Sequence, residues 1–481
     1  IVFSFLSACM PNQSVADPNG SAKRNALLLA TAQAFCGAAA PISIALGGLV
    51  GFYLLDGDKS LATTPVTIYN LGVALTALPA ALLMSRVGRR LGFISGAFVG
   101  IIGAIVSSYA IYFGSFMMFC VGMALTGSAG AFTQQLRFAA ADQGTTAFKP
   151  KAISWVLAGG IFAAIIGPQT AIYFINPDAA SNDVAGLYLG GSVFVVGCIL
   201  AAVRNGFNRP SDFVISVVSI ALATAAAYML GEPIASFIRE LFVPIEFAAA
   251  YLAGMLLLLI GIVVLSQLRM DRPHSDYAKG KADTGRPLGV IIRQPRFIVS
   301  VICAVGSYAL MSFVMTGAPL AMKLCGFSPD DSTWGIQWHV MAMFGPSFFT
   351  GHLITRFGKE KIVAVGMLLL VSCAAVALSG ISLTNFYIAL ILLGFGWNFG
   401  FIGATSMLTD TYEPEEKAKA QGANDFLLFA SVAFGSFMSG QILNAFGDNG
   451  WNAINYTILP VVAVCLLSLL WLRTKTPRTI A

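Results

Sequence analysis

The sequence predicts an all-α polytopic membrane protein built from two related halves, and three observations lead to this fold class. Hydrophobic residues make up 57% of the chain and charged residues only 10%, with a mean hydropathy of +0.79, whereas soluble domains carry about 25% charged residues. Lys and Arg are concentrated in alternate loops between long apolar runs. A short basic turn occurs twice, at a large and regular separation.

Fourteen segments are each long and apolar enough to cross a bilayer as a helix, which requires about 20 mostly apolar residues. In chain order, the predicted spans are 26–54, 66–84, 91–113, 116–136, 152–175, 186–203, 213–230, 247–268, 297–322, 334–354, 362–383, 386–408, 423–446 and 453–472.

The distribution of positive charge supports this number of spans. With the N-terminus placed in the cytoplasm, 25 of the 28 Lys and Arg residues fall on the inner side, and only Lys59, Arg239 and Lys323 fall outside. Positive charge is concentrated in the cytoplasmic loops of membrane proteins, and the loss of one span would scramble the pattern. We therefore expect a multi-pass protein with both termini in the cytoplasm.

The segments group into two bundles joined by a polar linker. The first nine residues precede Met10 and are expected to be incidental to the fold. The predicted organisation is an N-terminal cytoplasmic segment (1–22), the first five helices (23–175), an inserted helix pair (176–245), a sixth core helix (246–268), a cytoplasmic linker (269–296), a C-terminal bundle of six helices (297–472) and a cytoplasmic tail (473–481).

The basic turn appears as LLMSRVGRRLG (Leu82–Gly92) and again as HLITRFGKEKI (His352–Ile362), and its two first arginines are 270 residues apart. The same shift aligns the ends of the following segments. Duplicated halves of this kind build secondary transporters, with the substrate path between the halves. Since glycine permits backbone angles that other residues avoid, we predict tight cytoplasmic turns with a gating role, formed by Arg86, Gly88, Arg89, Arg356 and Gly358.

The two turns resemble the loop signature of the major facilitator superfamily, G-x-L-a-D-R-x-G-R-[RK]. The second copy, Gly351 to Lys359, keeps both glycines, the leucine and the arginine, and the first copy keeps the arginines and the second glycine. Ser85 and Thr355 stand where the family has an aspartate, so the charge interaction of that acid is absent here. The resemblance implies two parallel repeats of six helices, into which one further helix pair (176–245) has been inserted.

Longer strings resemble a bacterial branch of the same superfamily. They are QQLRFAAADQ, AISWVLAGGIFAAIIGPQTA, QWHVMAMFGPSFFTG and GWNFGFIGATSMLTDTYEPEEKAKAQ. Members of, or near, that branch have been proposed as riboflavin importers. The resemblance therefore implies a bacterial inner membrane as the location and a flavin-like vitamin as one candidate solute.

Polar and aromatic residues inside the spans are the candidate solute-binding residues, because polar groups are costly within a membrane. Trp397 and Asn398, near the centre of their span, are the leading pair, followed by Gln169 and Trp338. Gln134 and Gln33 either line a cavity or hold helices together by hydrogen bonds. Each candidate has packing or helix bonding as its alternative.

Charged and titratable residues supply candidates for gating and coupling. His339 lies well inside a span and histidine can carry a proton near neutral pH, so it is the candidate for proton coupling, with solute contact or structural bonding as alternatives. Arg137 and Asp142 form either a gate or a structural pair. Asp425 is either a gating residue or an acid stabilised by the dipole of its own helix.

These observations favour a secondary active or facilitative transporter that moves a small organic solute by alternating access. A drug or metabolite exporter of the same fold is the alternative, and a non-transporting receptor or scaffold is the alternative of another class. No Walker motif or metal-ligand cluster is present in the sequence. We expect no enzymatic activity, no cofactor, no metal site and no nucleic-acid partner, and we expect the protein to be a monomer in the bilayer.

Overall fold

The computed structural model describes residues 20–55, 59–141, 148–175, 247–270, 285–413 and 416–475. The described chain consists of helices joined by short turns. They are α1 Gly20–Cys36, α2 Ala39–Leu54, α3 Thr64–Val87, α4 Arg89–Tyr112, α5 Phe116–Gln134, α6 Leu136–Ala141, α7 Lys149–Ile175, α8 Ala248–Leu265, α9 Leu288–Ile291, α10 Pro295–Leu324, α11 Pro329–Phe344, α12 Ser347–Phe357, α13 Lys359–Leu378, α14 Leu383–Leu408, α15 Lys417–Phe446 and α16 Gly450–Lys475.

Ten stretches in the described part are long and apolar enough to cross a membrane. One of them, Lys419–Lys475, contains two helices, α15 and α16. The predicted span 334–354 is not among the ten, and the structure divides it into α11 and α12. Twelve of the fourteen predicted spans thus correspond to described helices, and the spans 186–203 and 213–230 lie outside the described residues.

The prediction of a continuous helix over 334–354 is wrong, because the helix stops at Gly345 and restarts at Ser347. Pro346 has no N–H to donate, and its ring clashes with the carbonyl four residues earlier. The first span has a similar break at Gly37 and Ala38, four residues before Pro41. Broken helices are tolerated at membrane depth where they are buried in protein or line a cavity.

Two clusters of buried hydrophobic side chains correspond to the two halves. One comes from α1–α8 and the other mainly from α10–α16. Helix α8 belongs to the first half: Ser108 Oγ donates to the Ala248 carbonyl at 2.6 Å, and Asn25 Nδ2 donates to the Arg269 carbonyl at 2.6 Å. The outer surface is apolar, with Leu78, Met117 and Leu467 exposed by 68%, 73% and 63%, as expected for helices that face lipid.

The end of the linker is tied to the loop that precedes α15. The Arg286 guanidinium donates to Glu416 Oε1 at 2.8 Å and to Oε2 at 2.7 Å, and the side chain of Glu416 is only 2% exposed. The hydrogen bond from Arg286 lowers the pKa of Glu416 to about 2. Glu416 is therefore ionised throughout the physiological range, so this connection persists at neutral pH.

The two basic turns have the same backbone structure. Gly88 has φ 88° and ψ 158°, and Gly358 has φ 92° and ψ 152°, a region that is essentially restricted to glycine. The Gly88 amide donates to the Met84 carbonyl at 3.0 Å, and the Gly358 amide donates to the Ile354 carbonyl at 2.9 Å. The 270-residue repeat therefore extends to individual backbone hydrogen bonds.

Candidate functional site

A cavity with an empty volume of about 1340 Å³, part of it open to solvent, lies between the two halves. Helices α1–α8 contribute to its wall from the first half, and α10, α11 and α15 contribute from the second. None of its lining residues carries a formal charge. The cavity can therefore solvate dipoles and apolar surface, but it offers no counter-ion within its lining.

Thioether and aromatic side chains form much of the wall from the second half. Met311 and Met315 come from α10, Met343 and Phe344 come from α11, and Phe429 comes from α15. Thioethers are polarisable and adapt to irregular shapes, and aromatic faces stack on planar groups. This wall suits a flat apolar or heteroaromatic surface.

A cluster of small polar groups lies at the cavity, and we call it the hydroxyl cluster: Asn70, Ser312, Thr316 and Ser436. Asn70 Nδ2 donates to Ser436 Oγ at 2.8 Å, Thr316 Oγ1 donates to the same oxygen at 3.3 Å, and the Ser312 and Ser436 hydroxyls are 2.8 Å apart. Asn70, Ser312 and Thr316 line the cavity. Because Asn70 belongs to the first half, the cluster joins the two halves.

Two of the sequence-predicted residues, Gln33 and Gln134, line this cavity. Gln33 lies at the break between α1 and α2, where its carbonyl accepts from the Gly37 amide at 3.0 Å. Gln134 is the last residue of α5 and is exposed. The structure thus brings these two amides together around one cavity, while their role in solute binding stays a prediction.

Trp397 and Asn398 lie behind the cavity wall in this conformation. Trp397 is 7% exposed, and its ring centroid is 5.3 Å from Tyr308 and 6.2 Å from Phe344, both of which line the cavity. Asn398 is fully buried: its Nδ2 donates to the Met343 carbonyl at 2.6 Å and to Ser347 Oγ at 2.8 Å, and its Oδ1 accepts from Thr350 at 2.6 Å.

Three further predicted residues lie apart from the cavity. Gln169 Nε2 donates to Gln337 Oε1 at 2.6 Å and thereby joins α7 to α11. The side chain of Trp338, on α11, is 42% exposed. His339 is fully buried, and its Nδ1 lies 2.8 Å from the Leu390 carbonyl. Since a carbonyl only accepts, Nδ1 carries the proton. The other ring nitrogen, Nε2, has no partner in the described part of the chain.

The predicted gating residues fall into two groups. Arg86, Arg89 and Arg356 flank the two basic turns, and Arg356 lies over the ring of Phe357 at 5.3 Å. Asp142 lies outside the described residues.

Arg137 and Asp425 come from different halves and interact electrostatically with each other and with Tyr308. The fold thus brings two charges that lie far apart in the sequence close to Tyr308, which lines the cavity.

Sequence reasoning did not single out Asn70, Ser312, Thr316, Tyr308 or Gln337. Asn70 carried a recognisable signal, an amide within the apolar run TIYNLGVAL. The hydroxyl residues carried none, because Ser and Thr often satisfy themselves by bonding to a carbonyl of their own helix. Among the described residues, no group of three or more His, Cys, Asp or Glu side chains could hold a metal ion.

Comparison with known proteins identifies the family. Residues 340–481 match the family described as Major Facilitator Superfamily. The riboflavin transporter RfnT of Brucella anthropi is 42% identical over 457 residues, which cover 95% of this chain and 97% of the relative. The uncharacterized MFS-type transporter YddS of Bacillus subtilis is 25% identical over 93% of this chain and 89% of the relative.

Solved structures share the fold at low sequence identity. The transporter FucP in the outward conformation superposes with a TM-score of 0.54 at 13% identity, over 94% of this chain and 98% of FucP. The nucleoside transporter NupG superposes with a TM-score of 0.57 at 12% identity, over 93% of this chain and 98% of NupG. With two bundles around a central cavity and a 42% identical transporter aligned along nearly its whole length, the chain belongs to the Major Facilitator Superfamily and is a multi-pass membrane transporter of a small solute.

Proposed function

We propose that the protein carries riboflavin, or a closely related flavin, across the inner membrane of a bacterium by alternating access. The observation that carries this proposal is the uncharged cavity, which combines thioether and aromatic walls with amide and hydroxyl ends. A flavin is a planar ring with an apolar edge, a polar imide edge and a hydroxylated chain. The name of the 42% identical relative, a riboflavin transporter, points to the same solute.

The proposed contacts are polar and aromatic groups in and behind the cavity wall. Gln33 and Gln134 are the proposed polar contacts near the centre and inner end. Trp397 is proposed to act on the solute through Tyr308 and Phe344, against which its ring packs.

The conformation supports a cavity that opens towards the cytoplasm. At the other side, Gln441 Nε2 donates to the Ser60 carbonyl at 2.8 Å, Asn70 bonds to Ser436, and Gln169 bonds to Gln337. We refer to these three bonds, all of which join the halves, as the outer seal. The charge pattern of the loops assigns this side to the exterior, and Arg137 with Asp425 is the proposed inner gate.

Uptake of labelled riboflavin tests the proposal in bacteria that lack their own riboflavin synthesis and uptake. Expression of the protein should restore growth on external riboflavin and accumulation of the label. Ala40→Trp, which places an indole in the cavity lining, should abolish uptake, whereas Val121→Trp on the exposed surface of α5 should not. A wild-type protein that reaches the membrane and moves no flavin would overturn the proposal.

Transport measurements on the same protein in liposomes determine the direction of riboflavin transport and its energy source. Riboflavin loaded inside or outside separates uptake from efflux, and a pH gradient separates coupled from facilitated transport. We propose His339 as the residue for proton coupling and the monomer as the transporting unit. If riboflavin transport by His339→Gln still depends on the pH gradient, His339 is not the proton-coupling residue.

A further inference from the structure

One residue belongs both to the cavity and to the outer seal. Of the three bonds in that seal, those of Gln441 and Gln169 are made by side chains that do not line the cavity, whereas Asn70 lines it. The side chain of Asn70 can therefore reach both the solute and the opposite half of the protein. Its hydrogen bonds connect recognition of the solute to the closing of the outer side.

The hydroxyl cluster determines which groups of Asn70 remain available. Ser436 Oγ accepts from Asn70 Nδ2 at 2.8 Å and from Thr316 Oγ1 at 3.3 Å. A hydroxyl has two acceptor positions and one proton, so Ser436 must donate its own proton to Ser312, 2.8 Å away. Ser436 is completely buried and saturated. Asn70 Oδ1 accepts no hydrogen bond from the described residues, so it is the free acceptor of the cluster.

We infer that Asn70 recognises the imide edge of the solute and that recognition weakens the outer seal. This inference rests on the proposed function, since the flavin imide supplies the matching groups. An imide offers an N–H between two carbonyls, and a carboxamide pairs with it through one acceptor and one donor. Asn70 Oδ1 accepts from the imide N–H, and the Nδ2 proton on the same edge of the carboxamide donates to an imide carbonyl. Since Nδ2 carries two protons, the exchange consists in the carboxamide turning this edge towards the solute, which moves Nδ2 out of reach of Ser436.

The exchange explains how an uncharged solute can promote opening of the outer side. Without solute, the Nδ2 bond to Ser436 holds α3 against α15. With solute, the carboxamide is turned into the cavity, and Ser436 retains only its bonds to Ser312 and Thr316, which both lie on α10 in its own half. The cross-half connection is lost while the buried hydroxyl stays partnered, so opening leaves no isolated polar group.

Two measurements on the full-length protein test the inference. The first is the preference for riboflavin over riboflavin methylated at the imide nitrogen, measured by binding. The second is the rate at which a thiol reagent applied from outside modifies Thr63→Cys in a Cys325→Ser background. Thr63 is 1% exposed and packs against Gly440 at the outer seal, and Cys325 is exposed and would otherwise react.

For the wild type, we expect a preference of about tenfold or more for riboflavin, and riboflavin but not its methylated analogue should accelerate the modification. Asn70→Ala should abolish the preference and accelerate modification without solute. Gln441→Ala is the matched control, because it breaks a bond of the same seal outside the cavity. It should accelerate modification and keep the preference.

Ser436→Ala tests the same exchange without altering Asn70. It should keep the preference, accelerate modification and remove the further acceleration by riboflavin. The inference is wrong if Asn70→Ala keeps the wild-type preference, or if riboflavin still accelerates modification in Ser436→Ala. A wild type that binds no flavin overturns the proposed function and the flavin assignment together, whereas a wild type that binds flavin and fails either variant test overturns the inference alone.

Discussion

Two asparagines show how the environment of a side chain decides its role. Asn398 has both of its Nδ2 protons and its carbonyl oxygen engaged, by Met343, Ser347 and Thr350. It therefore holds α14 to α11 and α12 and has no donor left for a solute in this conformation. Asn70 makes one hydrogen bond and borders the cavity. The same side chain serves as a structural connection in one helix and as an open polar group in another.

We expect Asn398→Ala to destabilise the protein, because it leaves buried groups of Met343 and Ser347 without a partner. The expected cost is about 1–3 kcal/mol, measured as a fall in melting temperature in detergent. Asn455→Ala is the control, since Asn455 is equally buried but bonds only to the Trp451 carbonyl of its own helix. An unchanged melting temperature with a raised KM for the solute would instead make Asn398 a binding residue, as the sequence suggests.

The sequence identifies polar residues within spans but not the direction in which each one faces. Gln33 and Gln134 were singled out as candidates, and both line the cavity. Trp397 and Asn398 were ranked first because of their depth in the membrane, yet neighbouring helices cover both. Depth follows from counting residues along a helix, whereas exposure depends on the rotation of that helix against others. No pattern within a single span specifies this rotation.

At the level of elements, the two glycine turns are the features that the sequence predicts most directly. The chain passes from one helix to the next through a single residue, Gly88 or Gly358, which ends one helix and begins the following one. Other helix ends in the described chain were predicted to within six residues. The breaks at Gly37 and Gly345 were missed, because hydropathy averaged over a whole span does not respond to one interrupted turn.

We expect Gly358→Ala to impair transport through its backbone conformation alone. A Cβ at this position would have no atom nearer than 3.9 Å, so space is available, but φ 92° and ψ 152° cost other residues about 1–3 kcal/mol. Gly351→Ala, in the helical part of α12 and also in open space, is the matched control and should transport normally. Equal uptake rates for the two variants would contradict a gating role for this turn.

At the scale of the whole molecule, the duplication and the loop charges were sufficient to predict two bundles around a central path. Pairwise contacts between the halves were not predictable, because they join residues such as Asn70 and Ser436 that lie 366 positions apart. The charge pattern also predicts two further spans, 186–203 and 213–230, beyond the twelve that correspond to described helices. Because they come as a pair, they return the chain to the same side of the membrane and leave the orientation of every later helix unchanged.

Labelling with an impermeant thiol reagent tests the fourteen-span arrangement. In a Cys325→Ser background, Ser236→Cys should react from outside, and Asn208→Cys should react only after the membrane is made permeable. The positive control for labelling from outside is the protein without substitutions, in which native Cys325 is exposed in the turn after Lys323. The reverse reactivity of Ser236→Cys and Asn208→Cys would exclude this arrangement.

The composition of the outer seal has an electrical consequence. Its bonds are made by amides, a hydroxyl and a carbonyl, without a formal charge among them. A formal charge that crosses the membrane field changes the energy of a transition by about 2.3 kcal/mol per 100 mV, but the breaking of these bonds moves none. The membrane potential therefore does no work on the breaking of these three bonds, and a voltage dependence of transport would report on charges outside the seal.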